Sequence, residues 1–182
     1  MGTNSNSSTK TGIDSLIDET IDLLRCGLQA LEALPGELYR EGHDRATDGG
    51  VGRHFRHVIE FYDRLVEPND ATVDYGSRRR DARVETDAMY AATVVRRIIG
   101  TLEALRGAAP DSELIVVTDV LDAEGCAIRT RSSVGRELAV LASHTIHHYA
   151  IIALLLRGSG VELPEHFGIA PSTLRYAASR PA

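Results

Sequence analysis

The sequence predicts an all-α fold: a four-helix bundle with a small β-hairpin between its third and fourth helices and a short C-terminal helix. Three observations predict it. Apolar residues recur at three- and four-residue steps in four separate stretches of helical length. Proline and glycine punctuate the ends of those stretches. One short stretch rich in β-branched residues, followed by a turn signal, interrupts them before the last long helix. Bundles of this kind converge side chains from facing helices on a central site.

The chain has 182 residues, enough for one domain with a core that needs no disulfide or structural metal. Hydrophobic content of 43% and charged content of 25% fit a globular protein. The polar start, residues 1–12, is expected to be a disordered tail, and 13–182 a single domain. That start lacks the apolar run of a secretory signal. Asn6 stands where a myristoylation signal requires Ser or Thr. The longest apolar run, Ala150 to Leu156, is too short to span a bilayer, so a cytoplasmic protein with no membrane partner is expected. The net charge of -6 argues against a nucleic-acid partner. Cys26 and Cys126 lie 100 positions apart with no C-x-x-C, which reads as two reduced thiols.

The first helix is expected from Ile13 to Leu34, on Ile13, Leu16, Ile17, Leu24, Leu28 and Leu31. Acidic Asp14, Asp18 and Glu19 suit its positive end, and Pro35-Gly36 stops it. The second runs from Val51 to Glu67, with Val51, Phe55, Val58, Tyr62 and Leu65 on one face, and Pro68 ends it. The stretch from Pro68 to Arg83 reads as an irregular connection, long enough to be functional or packed down. The third helix is expected from Glu85 to Arg106, its apolar face made by Met89, Ala92, Val95, Ile98, Ile99, Leu102 and Leu105. Strands from Ile115 to Leu121 and Ala127 to Arg131 flank a turn at Asp122 to Gly125. Ser133 caps the fourth helix, which ends at Gly158 or Gly160. A short helix is expected from about Pro171.

The fourth helix carries the chemistry. In S-H-T-I-H-H-Y, His144 and His148 are four apart, about 40° around the helix, so they share a face. Two imidazoles so placed can hold one metal ion from a rigid support. His147 lies about 100° from His148 and is expected to pack or to support a ligand. The third ligand is expected from H-F-R-H on the second helix, at His54 or His57. Periodicity puts His54 on the edge of the apolar stripe, as the more buried of the two, and His57 further round, beside Phe61. Three neutral imidazoles suit zinc, nickel, iron or copper and leave coordination positions open for water or substrate. The absence of H-E-x-x-H and G-x-S-x-G removes two hydrolase classes. His43 and His166 stand in polar surroundings and are expected at the surface. Arg78, Arg80 and Asp81, after Tyr75, read either as a solvated loop or as a guanidinium grip on a substrate carboxylate.

With these residues in place, V-G-R-H-F-R-H-V-I-E-F-Y and S-H-T-I-H-H-Y-A-I-I resemble the DinB-like (YfiT-like) metalloenzymes, which are four-helix bundles. The resemblance covers about Ile13 to Leu156, with 87 positions from His57 to His144. It implies His57, a histidine followed by the aliphatic Val58, as the second-helix ligand rather than His54. It implies His144 and His148 as the pair, and one divalent metal ion: zinc, nickel or iron. It further implies a metal-dependent enzyme, a thiol S-transferase or hydrolase, with a low-molecular-weight thiol among its small-molecule substrates, and a homodimer. Tyr149-Ala150-Ile151 departs from the Arg-Gly-Gln of many members, which leaves the substrate contacts there open. The alternative is a non-catalytic stress-response or dimerisation bundle with structural histidines.

Overall fold

The computed structural model describes residues 12–41, 49–67, 70–107 and 111–179. The expected N-terminal tail (apart from Gly12) and His43 lie outside the described residues. The elements in chain order are α1 (Gly12–Ala33), α2 (Gly36–Arg40), α3 (Val51–Val66), β1 (Thr72–Asp74), α4 (Ala82–Thr86) and α5 (Ala88–Ala104). They continue with β2 (Glu113–Leu121), β3 (Ala127–Ser133), α6 (Val134–Leu155) and α7 (Pro171–Ala178).

The four long helices pack side by side, α1 and α3 each against both α5 and α6. Their apolar stripes meet in one core. It contains Ile17, Ile21, Leu24 and Leu31 of α1, Phe55, Val58, Ile59 and Tyr62 of α3, Val95, Ile98 and Leu102 of α5, and Leu138, Leu141, Tyr149 and Ile152 of α6. The α6 helix is long and apolar enough to cross a membrane by length and composition. Here it lies against α1 and α3.

The expected all-α class is corrected: the fold is mixed α/β. Its sheet has three strands in the order β1-β2-β3. The hairpin of β2 and β3 is antiparallel, with Glu113 opposite Ser133 and Val117 opposite Arg129. Asp122 shapes its turn by accepting from the backbone N–H of Glu124 at 3.1 Å and of Cys126 at 2.7 Å. β1 then joins β2 in parallel, Val73 opposite Val116, and buries Val73 completely. That strand falls in the stretch read as irregular. Three residues carry too little periodicity to announce a strand, and the partner is about 40 positions downstream. The sheet is therefore built into the end of the helix layer, where α3 and α5 finish and α6 begins.

The expected third helix is broken in two. Asp87 has an extended backbone and accepts from the N–H groups of Met89 and Tyr90, both at 3.0 Å, so it caps α5 and ends α4. The new start leaves Met89 59% exposed instead of on the apolar face. Ser133 caps α6 as expected, accepting from the Arg136 N–H at 3.2 Å.

One buried polar tether joins the two histidine-bearing helices. The Thr145 hydroxyl lies 2.7 Å from the Leu141 carbonyl and 3.1 Å from the Tyr62 hydroxyl. With the threonine proton on the carbonyl, Tyr62 donates to the threonine oxygen. Tyr62→Phe should cost about 1 kcal/mol, since Thr145 keeps its backbone partner. A denaturant midpoint equal to the parent's would show that the tether contributes nothing.

Candidate metal centre

The centre forms where α3 crosses α6. His57 comes from α3, and His144 and His148 come from successive turns of α6. Their ring centroids are 5.0 Å (His57–His144), 4.7 Å (His57–His148) and 4.5 Å (His144–His148) apart. One nitrogen from each ring lies within 4.8 Å of the others. A tetrahedral ion with donors at about 2.0–2.1 Å sets them about 3.4 Å apart, so modest side-chain rotation closes the set. His144 Nε2 is buried and has no hydrogen-bond partner among the described residues. An orphaned buried nitrogen is costly unless something binds it, and a cation fits that position.

The histidines are suited to be donors because they resist protonation. Burial pushes His57 down to about 4, helped by His144 and the positive charge of Arg78. Burial also pushes His148 down to about 3, helped by His144 and His57. His54 and His144 are lowered too, in each case mainly by burial and then by His147. All four are neutral at pH 7, the form that ligates a metal.

A stability prediction follows for the metal-free protein. His57 and His148 sit well below the ordinary 6.5 when folded, so the unfolded chain binds more protons between those values. Stability therefore rises with pH from about 3 to about 6.5 and is level above that, as far as these groups decide it. Urea midpoints measured in chelator should fall as pH drops from 7 to 4. Midpoints that stay constant or rise would contradict it.

His54 is not in the three-nitrogen set. Its Nδ1 lies 2.9 Å from Nδ1 of His148. One of the two nitrogens must carry the proton. If His148 donates, its Nε2 is left as a free lone pair, and His54 fixes that tautomer and the ring's direction. His54→Ala should then weaken metal binding about 10–100-fold without abolishing it. Competition with a chromophoric chelator measures this; an unchanged affinity would remove His54 from the account. His147 is exposed, its ring 5.3 Å from that of His148. His166 is exposed as well, beside Glu165 at 3.3 Å.

An aromatic wall flanks the cluster. Phe61, one turn after His57, has its ring centre 4.8 Å from His57 and 5.0 Å from His144. Tyr75 stacks on Phe61 at 4.9 Å, and the Arg78 guanidinium lies 4.3 Å from the Phe61 ring centre. The Tyr75 hydroxyl donates to buried Glu137 at 2.9 Å, which ties the loop after β1 to the start of α6. Among the run after Tyr75, Arg79 pairs with Glu67 at 3.4 Å and Arg80 is exposed. Asp81 caps α4 through the Arg83 N–H at 2.8 Å. Glu137 belongs to this frame too, held by Tyr75 at 2.9 Å and Arg136 at 2.7 Å, and no spacing of residues in the sequence announces it. Phe61 was findable from its spacing, since it lies four residues after His57.

The chain is similar to a protein named FK506-binding protein 5 from Rhizopus delemar, 33% identical over 118 residues, which is 63% of this chain and 31% of that protein. The chain thus spans about a third of the length of the curated relative it matches. No family model and no solved structure matches it. The DinB-like resemblance is corrected on these findings: the relative carries an FK506-binding name, and the mixed sheet is foreign to the all-α bundle the resemblance implied.

Proposed function

We propose that the chain is a metal-dependent enzyme in which His57, His144 and His148 hold one divalent ion, zinc, nickel or iron. The observation that carries this reading is the convergence of three neutral imidazoles from two packed helices, one with a buried nitrogen that has no partner among the described residues. Such an ion, when bound, lowers the pKa of a thiol or water on its open position. Neutral donors leave its double charge undiminished, which favours an anionic partner there.

Transfer of a low-molecular-weight thiol to an electrophile is the reaction these surroundings favour. Hydrolysis at a metal site usually needs a general base near the water. The residue after His144, where a metalloprotease helix places that base, is Thr145, and it is spent on the tether to Tyr62. Glu137 is engaged by Tyr75 and Arg136, and Glu60 by the Asp81 N–H at 2.7 Å. A thiol ionised on binding needs no such base. The wall of Phe61 and Tyr75 offers a polarizable surface to sulfur.

The test is metal-loaded protein with small thiols and a chromogenic aryl halide. A carbon–sulfur bond forms, the carbon–halogen bond breaks, and halide leaves with the thiol's proton passing to buffer. The reading expects a rate above that of thiol alone, lost with chelator and in His57→Ala. No rate above background in protein that holds metal would contradict thiol transfer.

A further inference from the structure

We infer that the open edge of β3 is a docking site for an acidic, extended peptide segment, which joins the three-stranded sheet as an added strand. The register of the hairpin decides which backbone groups are open. The Val134 N–H donates to the Ser112 carbonyl at 3.0 Å, and the Asp122 N–H donates to the Cys126 carbonyl at 2.9 Å. These bonds flank the pairs Glu113–Ser133 and Leu121–Ala127, so the members of each pair do not bond each other. The pattern alternates along a strand, which puts Arg131 and Arg129 in the same class as Ser133. Their N–H and C=O groups therefore point away from β2, and nothing bonds them among the described residues. β1 holds the other side of β2, and β3 packs principally on β2 and the start of α6. The stretch from Ala127 to Arg131 is exposed throughout. Such an edge is a ready template for another strand.

The side chains on that edge select the partner. β3 carries two arginines and no acidic residue, in a chain of net charge -6. Leu114 and Val116, opposite Ser132 and Thr130, are buried, so Arg129 and Arg131 share the outer face, about 6.8 Å apart. Both guanidinium groups are lightly held. Arg129 reaches the Thr72 hydroxyl at 3.4 Å, and Arg131 lies 3.6 Å from Glu113 with its side chain 85% exposed. A strand added at this edge sets one of its own residues opposite each arginine, and opposite charges there are favourable. Acidic residues at alternate positions meet both arginines. The residues between them turn to the other face, beside Thr130 and the exposed Ile128. A second copy of β3 fits poorly. Antiparallel pairing centred on residues 129–131 sets arginine against arginine, and like charges directly opposite repel. The same two residues thus guard the edge against its own kind and admit an acidic strand.

The experiment uses the full chain and the fluorescence anisotropy of labelled, end-blocked peptides. The probes are Val-Glu-Val-Glu-Val-Glu-Val and its counterpart with Lys for Glu. The parent should bind the Glu peptide about tenfold more tightly, the sum of two cross-strand pairs turned from repulsive to attractive. Arg129→Glu combined with Arg131→Glu should exchange that preference. Main-chain pairing is read on the parent alone. N-methylation of the Glu amides, which face β3, should weaken binding about tenfold or more, whereas N-methylation of the Val amides, which face away, should leave it within about twofold. Equal effects of the two methylations overturn strand addition and leave only a basic patch. So does a single-stranded oligonucleotide of matched charge that binds as tightly as the Glu peptide. No binding of the Glu peptide by the parent overturns the site. A dimer of the parent in sedimentation that Arg131→Pro dissolves makes a second copy the occupant and overturns the acidic partner, since proline there removes an outward N–H and no bond of the hairpin.

Discussion

His148→Ala is expected to abolish stoichiometric metal binding while leaving the protein folded. His148 is the hub of the centre. Its ring touches His57, His144 and His54, at centroid distances of 4.7, 4.5 and 5.1 Å. Removing it takes away one of three donors and the partner of His54 Nδ1. The loss of affinity should exceed the roughly 10–100-fold that loss of a supporting partner costs. His57→Ala and His144→Ala should behave alike, whereas His147→Ala, on the exposed side of α6, should keep the metal. His57, His144 and His148 are only half-buried, so alanine opens a gap at the rim rather than in the core. Helical circular dichroism and metal content, measured on the same samples, separate loss of the site from loss of the fold. Unfolding of the ligand variants would make the histidines structural.

Gly52→Ala is the second large effect, and it acts on stability. Gly52 lies in the first turn of α3, where that helix seats against α4 and α2. A methyl group there would stand 1.9 Å from the Glu85 carbonyl oxygen and 2.9 Å from that of Tyr39. Both are backbone atoms, so no side-chain rotation relieves the clash. The same junction holds the Tyr39 hydroxyl on the Val84 carbonyl at 2.6 Å and the Arg56–Glu85 ion pair at 2.7 Å. Either the helices part or those contacts break. The cost should be about 3 kcal/mol, at the upper end for overpacking. For a chain of this size that lowers Tm by about 6–12 °C. A scanning calorimeter reads it directly, and a shift of less than about 2 °C would mean that the junction yields freely. Because Gly52 precedes His57 by five residues on the same helix, the variant should also loosen metal binding.

These two cases show what was legible in the sequence. The i, i+4 pair of His144 and His148 needs only helix geometry, so it could be read directly, as could α1 and α3 from their apolar stripes. His57 against His54 could not be decided by periodicity: both are half-buried, and which ring meets α6 depends on how the two helices cross. The His54–His148 contact depends on rotamers, which no pattern of residues encodes. The fold class failed at β1. Three residues paired to a strand about 40 positions away turn an appended hairpin into a mixed sheet, and such pairing is tertiary information. The break at Asp87 was local and readable, since an Asp directly before Ala88-Met89-Tyr90-Ala91-Ala92 stands where a helix N-cap would. The roles within the arginine run required coordinates, because three like residues in a row differ only in where the loop aims them.

The most direct test of the central claim is elemental analysis of the untagged protein, stripped with chelator and then dialysed against zinc, nickel or iron. The account predicts about one metal ion per chain, retained through desalting, and none in His57→Ala, His144→Ala or His148→Ala. A parent that retains no metal under any of the three conditions would contradict it, and the histidine cluster would then be a packing feature of the α3–α6 contact.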